Sequence, residues 1–366
     1  MPSIVVSTCG TSLLTNKVAQ GLNDLLRKTA NAKANDLLKE EKNAIDAHMK
    51  EREETLLALQ SFGDVRDASA ELNGLLGLYE EQPFKGKNDL HYLLHTDTYQ
   101  GGKVAETLKR WCEQNKLNAQ TYRIESLNTR DLEDFRIGIG NLMKWCQDTL
   151  PQNTQSGYRV IFNLVGGFKS LQGYMQTLGM LFADESIYIF EGQRALLRIP
   201  RLPLDLDTSS QKTMRENIAV FRKLARKSLP YSECAALPET FLYHVGPECT
   251  LSDWGKLLWE RFKKSLYSER LLEPPSARIR YSAKLKNTIA TLDAQFVLRI
   301  NEKMDDLAGF FEQEKALKSL SFKKLTGTPV PRCTHEFYLW SDKDAARGFG
   351  YFDGDVFIFE DMREHL

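Results

Sequence analysis

The chain has 366 residues, 42% hydrophobic and 27% charged, with 49 basic side chains balanced by 49 acidic ones. That is the composition of an ordinary soluble globular protein of two or three domains, and zero net charge leaves any nucleic-acid contact to a local basic patch. The six cysteines (Cys9, Cys112, Cys146, Cys234, Cys249, Cys333) are scattered, with no Cys-x-x-Cys pair and no histidine at ligand spacing, which argues against a zinc site and more strongly against a disulfide framework.

The amino terminus runs straight into an apolar strand, Pro2 to Ser7, without a basic leader or a long apolar stretch. The sequence therefore predicts no signal peptide, no membrane span and a cytoplasmic location. The strand ends in Thr8-Cys9-Gly10-Thr11-Ser12, whose hydroxyls and unhindered glycine N–H suit a ligand loop at the carboxyl end of a parallel strand, or a plain structural turn. A helix is expected from about Lys17 to Lys28. The stretch from Asn35 to Phe62 is helical and heavily charged, with Leu37, Leu38, Leu56, Leu57 and Leu59 near helical spacing, and reads as a solvated helix or helical hairpin with no chemistry of its own. A strand at His91–Thr96 follows, then the turn Asp97 to Lys103 and a helix through Trp111. Asp97, between Thr96 and Thr98, either meets a ribose or caps that helix.

The alternation continues with a strand at Ala119–Ile124 and a helix from Thr129 to Leu150. The most distinctive stretch is Val160-Ile161-Phe162-Asn163-Leu164-Val165-Gly166-Gly167-Phe168-Lys169-Ser170. A strand apolar on both faces belongs in the middle of a parallel sheet. Its double glycine allows close approach of a ligand, and the helix beginning near Ser170 brings free N–H groups, to which Lys169 adds a full charge. The same stretch is also compatible with a buried strand and a tight exit turn. Ser186–Glu191 closes the series, and strands alternating with helices across 200 residues predict a doubly wound parallel sheet.

Three strand exits, Ser7-Thr8-Cys9-Gly10-Thr11-Ser12, Thr96-Asp97-Thr98 and Asn163 to Ser170, resemble those of the CARF domains of type III CRISPR accessory proteins over roughly residues 1–200. The resemblance implies a Rossmann-like, dimerising sensor, here residues 1–203, that binds a cyclic oligoadenylate across its two-fold axis. It implies ligand roles for Thr8, Gly10, Thr11, Ser12, Asp97, Gly166, Gly167, Phe168 and Lys169, with cyclic tetra-adenylate the family's commonest messenger.

Pro200-Arg201-Leu202-Pro203 punctuates the chain, and Leu204 to Ser210 reads as a linker. Helices are expected at Gln211–Leu229 and Ser252–Leu272, with a short strand at Thr240–Val245 between them. The first carries Lys212, Arg215, Arg222, Lys223, Arg226 and Lys227, either a phosphate-binding face or a solvated one. Residues 204–275 thus read either as a winged-helix-like, partner-binding module or as a helical spacer whose apolar face, Trp254, Leu257, Leu258 and Phe262, is its core. Pro274-Pro275 ends the segment.

Residues 276–366 differ in kind. A strand at Ala277–Tyr281 leads to a long helix, capped by Ser282 and reaching Phe311, and then to a three-stranded antiparallel meander through Glu336–Trp340, Ala346–Phe352 and Asp355–Phe359, with Asp353-Gly354 as a hairpin turn. This order, with Lys324-Leu325-x-Gly327-x-Pro329, the Arg347 strand and Arg363-Glu364 just past the last strand, resembles the small α+β RelE toxin fold over about 85 residues. The family is a ribosome-dependent mRNA interferase that needs no cofactor or metal, because the RNA's own 2′-hydroxyl attacks the adjacent phosphate. The protein supplies a base, charge for the phosphorane and a proton for the leaving oxygen.

The resemblance assigns the phosphate charge to Arg347 and Arg363, with Lys323, Lys324 and Arg332 extending the positive face. The family's lysine-bearing strand reads Glu336-Phe337-Tyr338 here, and its C-terminal aromatic acid or base is missing. His335 and His365 stand as substitutes, since imidazole titrates near neutrality, or as exposed tail residues. Together the two resemblances point to a CARF–RelE fusion effector. The expected protein is a homodimeric endoribonuclease, gated by cyclic oligoadenylate, that cuts mRNA on ribosomes and contacts a ribosomal protein through the middle module. The alternatives are a non-catalytic regulator binding DNA or protein, and a ring nuclease degrading the messenger.

Overall fold

The computed structural model describes residues 1–16, 18–190, 194–202, 208–312, 320–327, 330–340 and 345–364. The chain forms two compact units, Met1–Leu204 and Asp205–Leu366.

The first unit is built on a six-stranded sheet of β1 (Ser3–Thr8), β2 (Leu90–His95), β3 (Asn118–Arg123), β4 (Arg159–Asn163), β5 (Glu185–Ile189) and β6 (Leu196–Pro200), in the order β3-β2-β1-β4-β5-β6. The first five strands run parallel and β6 is antiparallel to β5. Ile4, Val5 and Val6 are fully buried, as both faces of a central parallel strand require. The mixed α/β layout and strand order are compatible with a Rossmann-like fold, and the order reverses between β1 and β4, where open sheets bind ligands. Ser186–Glu191 does not close the sheet, because β6 adds an edge; Glu191 lies outside the described residues.

Several helix expectations change. The segment after β1 forms a single turn, Ser12–Thr15, and a separate helix, Gln20–Lys28, and Lys17 is outside the described residues. The charged stretch is one helix, Lys39–Ala58. Two further helices, Phe62–Ala68 and Ala70–Leu78, follow it, and their serine caps (Ser61 and Ser69) and buried leucines account for them. Thr98, not Asp97, caps the helix Tyr99–Gln114, its Oγ1 accepting the Gly101 N–H at 3.1 Å. The crossover helix starts at Leu132, where Asp131 accepts the Asp134 N–H at 2.8 Å, and runs to Gln155.

In the second unit the linker passes into the helix Thr208–Glu216. The expected helix Gln211–Leu229 is broken at Asn217, whose Nδ2 donates to the Thr213 carbonyl at 2.9 Å while its backbone leaves the helical region. Helix Ile218–Leu224 follows, and Leu229 enters a three-stranded sheet of β7 (Leu229–Pro230), β8 (Leu242–Val245) and β9 (Glu248–Leu251), ordered β7-β9-β8. Between β7 and β8 there is only a four-residue helix, Tyr231–Cys234, and a three-residue 3-10 turn, Glu239–Phe241. A helix long enough to read a DNA groove is therefore not formed there. Helix Asp253–Glu269, capped by Ser252, buries Leu257, Leu258, Trp259, Leu266 and Tyr267. Its inward aromatic residues are Trp259 and Tyr267, with Trp254 and Phe262 only half-buried.

The remainder is a five-stranded sheet of β10 (Ile279–Tyr281), β11 (Lys323–Lys324), β12 (His335–Trp340), β13 (Ala346–Asp353) and β14 (Val356–Glu364), ordered β10-β14-β13-β12-β11. β10 is parallel to β14 and the other neighbours are antiparallel, so the meander has four strands, the first only two residues long. The expected long helix is two, Ala283–Ile289 and Ala294–Phe311. Thr291 Oγ1 donates to the Thr288 carbonyl, and Asp293 is extended before the second helix begins. The β13–β14 hairpin closes through Gly354-Asp355, one residue later than expected, with Gly354 at φ +57°.

Both helices pack on one face of this sheet, where Leu285, Ile289, Ile300, Met304 and Leu307 meet Phe337, Phe357 and Phe359. A buried polar network joins the middle segment to the second helix. Arg222, 3% exposed, donates from Nε to Asp305 at 2.8 Å and from Nη1 to the Glu273 carbonyl at 2.7 Å. Asn301 Nδ2 donates to the Tyr267 and Arg270 carbonyls, each at 2.8 Å. Among the described residues no helix is long and apolar enough to cross a membrane.

Candidate functional site

Two groups of side chains, one in each unit, carry chemistry. In the first, the exits of β1 and β4 touch at the reversal point of the sheet. Thr8 Oγ1 donates to the Gly166 carbonyl at 2.8 Å, and Asn163 Nδ2 donates to Ser7 Oγ at 3.0 Å. A side chain on Gly10 would press on the Gly167 amide at 3.0 Å, and Gly167 holds φ at +96°, where glycine is favoured. Thr8, Gly10, Gly166 and Gly167 thus meet where the two exits touch, and Thr11 and Ser12 follow Gly10 directly in the chain. Phe168 and Lys169 open the helix Lys169–Phe182; Lys169 is exposed, and Phe168 is half-buried with its ring edge-on to Phe135 at 6.2 Å.

Asp97 does not join them. Its carboxylate meets Lys33 Nζ at 2.8 Å, the Ser126 N–H at 3.0 Å and Arg123 at 3.7 Å, none of which belongs to the β1 or β4 exit. Burial pushes its pKa up, but the hydrogen bonds from Lys33 and Ser126 and the nearby charges outweigh it and hold the carboxyl below the usual aspartate range. Asp97 is a tie between loops.

The sequence reading missed Glu71. This side chain is fully buried against the β1 and β4 exits. Its carboxylate accepts the Gly10 N–H at 2.7 Å, Ser69 Oγ at 2.6 Å and Ser12 Oγ at 3.3 Å. A Cβ on Gly166 would collide with it. The signal lay in Ser69-Ala70-Glu71-Leu72 with Leu75 and Leu76, a capped helix start carrying an acidic first turn. Burial and then the Glu71 charge push the Cys9 thiol well above its ordinary value, so Cys9 is an inert neighbour.

A cavity of about 530 Å³ lies over β2 and β3, lined by Tyr92, Tyr122 and Trp145 with Arg123 and Lys144. The Trp145 ring is 5.2 Å from that of Tyr92 and 5.5 Å from that of Tyr122.

The second group lies on the C-terminal sheet, on the face opposite the two helices. Alternation puts Glu336 and Tyr338 on that face, because Phe337 and Leu339 enter the core. Arg347 lies between Ala346 and Gly348, which face the core, and is register partner to Arg363. Arg363 is therefore inside β14 rather than past its end. The two arginines stand side by side on adjacent strands.

Each arginine is held by a carboxylate. Arg347 Nη1 donates to both oxygens of Glu336, at 2.9 and 2.8 Å, and its guanidinium lies 5.0 Å from the Tyr338 ring centre. Lys323 Nζ reaches Glu336 at 3.2 Å. Arg363 donates to Asp361 at 3.2 and 3.3 Å, and Lys284 meets the same carboxylate at 2.9 Å. Burial pushes Glu336 up, but the hydrogen bonds from Arg347 and Lys323 prevail and hold it below the usual glutamate range. Asp361 is likewise lowered, with Lys284 and Arg363 outweighing burial. Phe349, on the same face, is covered by Val330, Cys333 and Leu325, which bounds the charged patch on one side.

The other expected residues fall elsewhere. His335 alternates with Glu336 and so faces the other way, stacked on Phe322 at 5.3 Å and edge-on to Phe352 at 5.1 Å. Burial, followed by the Lys324 charge, lowers its pKa. Lys324 pairs in register with His335 and shares its side of the sheet, while Lys323 pairs with Glu336. Arg332 sits in an exposed turn at φ +67°. Pro329 and His365 lie outside the described residues. Glu336 and Asp361 are the functional candidates that sequence reasoning passed over; Glu336 was visible as a departure from the lysine-bearing strand of the resembled family, but its pairing with Arg347 on the next strand was not.

No curated protein matches the chain. Residues 66–202, which include Glu71, Asp97 and the Gly166-Gly167 loop, match the model of a family described as CRISPR-associated protein (Cas_APE2256), and this similarity supports a CRISPR-associated protein.

Proposed function

We propose that the protein is a ribonuclease of type III CRISPR defence, switched on by a cyclic oligoadenylate and acting on ribosome-bound mRNA as a homodimer. The observation that carries the catalytic half is the cross-strand pair Arg347 and Arg363, with Glu336 set between Arg347 and Lys323 on the face of the sheet away from the two helices. The sensing half is supported by the glycine-bearing strand exits that meet at the β1–β4 reversal and by the CRISPR-associated similarity over residues 66–202.

In this reading Glu336 accepts the 2′-hydroxyl proton as that oxygen attacks the adjacent phosphorus. Arg347, Arg363 and Lys323 carry the charge that builds on the phosphorane oxygens. The Tyr338 hydroxyl, 3.4 Å from Arg347 Nη2, protonates the departing 5′-oxygen. The products are a 2′,3′-cyclic phosphate and a 5′-hydroxyl end. A phosphate entering the face takes over the Arg347 donors that Glu336 holds at rest, which frees the carboxylate to act as a base. The messenger must bind the active arrangement better than the resting one.

The test adds cyclic tetra-adenylate to the purified protein with naked RNA, with translating ribosomes, and with labelled messenger alone. Ribosome-dependent cuts that vanish in Arg347→Ala support the proposal. Decay of the messenger with no mRNA cuts overturns it in favour of a ring nuclease, and no cleavage of either in favour of a non-catalytic regulator.

A further inference from the structure

Glu71 is a buried carboxylate answered by neutral donors. Besides accepting from Gly10, Ser12 and Ser69, it is chained to a helix N-terminus: Ser12 Oγ accepts the Ala70 N–H and Ser69 Oγ accepts the Leu72 N–H, each at 3.3 Å. Backbone N–H, hydroxyls and the positive end of a helix are the groups that hold a phosphoryl oxygen. The loops are shaped around this occupant, since Gly166 has no room for a Cβ beside it. The seat also lies at the β1–β4 reversal, where an incoming ligand is expected.

We propose that Gly10, Ser12 and Ser69 form a phosphate seat at the β1–β4 strand exits and that Glu71 is its resting occupant, displaced when a phosphoryl group of the ligand arrives. This rests on the messenger-sensing reading above and adds to it a residue that sets both affinity and coupling. Glu71 is the second residue of the helix Ala70–Leu78, and its own carbonyl accepts from Asn163 Nδ2 at 3.0 Å. Its side chain also shares Ser69 with the first turn of that helix, because Ser69 Oγ donates to Glu71 while accepting the Leu72 N–H. Ligand entry is therefore tied to a movement of the helix start, and an anion at low concentration does not displace a carboxylate held by three donors.

The experiment compares wild type with Glu71→Gln and Glu71→Ala, each checked for folding by circular dichroism and melting. Binding of cyclic tetra-adenylate and of inorganic phosphate is measured by calorimetry. Glu71→Gln keeps the shape and removes the competing charge, so messenger affinity is expected to rise at least about tenfold, the worth of one charge-assisted hydrogen bond. Glu71→Ala is expected to take up inorganic phosphate that wild type does not bind. If wild type binds the messenger and folded Glu71→Gln binds it equally or more weakly, the seat is refuted and Glu71 is a structural clamp. If no form binds the messenger while Glu71→Ala binds phosphate, the seat stands and the messenger reading falls. Should Glu71→Ala fail to fold, the Glu71→Gln comparison alone decides between the first two results.

Discussion

Replacing Glu336 by glutamine tests the C-terminal site and its physical basis together. The wild-type carboxylate is 7% exposed and takes two hydrogen bonds from Arg347 and one contact from Lys323. Glutamine keeps the shape, but turns one acceptor oxygen into an N–H₂ that faces the guanidinium and leaves the Arg347 charge uncompensated. Breaking a fully buried ion pair costs about 3–5 kcal/mol. The Arg347 side chain is 19% exposed and that of Lys323 58%, so water recovers part of this and about 2 kcal/mol is the working figure. For a unit of this size that lowers the melting temperature by about 4–8 °C. Loss of the base should slow cleavage about a hundredfold, the low end of the range for acid–base catalysis, because a glutamate held below its usual range is a weak base. The assay is single-turnover cleavage of mRNA on programmed ribosomes with saturating cyclic tetra-adenylate, alongside scanning calorimetry of the full chain. A variant that melts lower but cuts at the wild-type rate would make Glu336 a structural partner of Arg347 and remove it from the reaction.

Arg363→Ala removes the second arginine, which is about one-third exposed; its stability change should stay within about 1 kcal/mol while cleavage falls about a hundredfold, and an unchanged rate would leave Arg347 acting alone. Gly166→Ala forces a methyl against the Glu71 carboxylate and should lower stability by about 1–3 kcal/mol, read as a drop in melting temperature; a neutral result would mean that the β4 exit yields freely. His91 is fully buried, and burial lowers its pKa to about 4. A depressed histidine stabilises the fold in full above its unfolded value near 6.5, and that contribution, roughly 3 kcal/mol, is lost as pH falls toward 4. The first unit should accordingly melt progressively lower from pH 6.5 to 4, and His91→Phe should flatten that slope; an equal slope in the variant would assign it to other groups. Asp97, Glu336 and Asp361, all lowered, add their losses only below the ordinary carboxylate range of about 4.

Strand existence was readable in the sequence wherever an apolar run ended in small polar residues, because that pattern carries both the buried strand and its exit. Ser3–Thr8, Leu90–His95 and Arg159–Asn163 are such cases. Helix ends and breaks were not, because Asn217 and Thr291 act by bonding carbonyls three or four residues back, an option these side chains exercise only in some contexts. The arginine pair was legible as residue types on strands, and alternation explains why His335 and Lys324 were wrongly grouped with it: one residue of register moves a side chain to the other face. Glu71 could not be placed from its neighbours in sequence, since its partners Gly10 and Ser12 lie about 60 residues earlier and meet it only once the sheet has formed.

The Arg222 network limits how this protein can be divided. A fragment beginning at residue 276 would keep Asp305 and Asn301 but lose Arg222, Tyr267 and the carbonyl groups of Arg270 and Glu273 that answer them. It would present a polar scar, with a carboxylate and an amide stripped of their partners, on a helix meant to be covered. The C-terminal sheet is thus transplantable only together with the helices before it, and a portable fragment would be cut near residue 205.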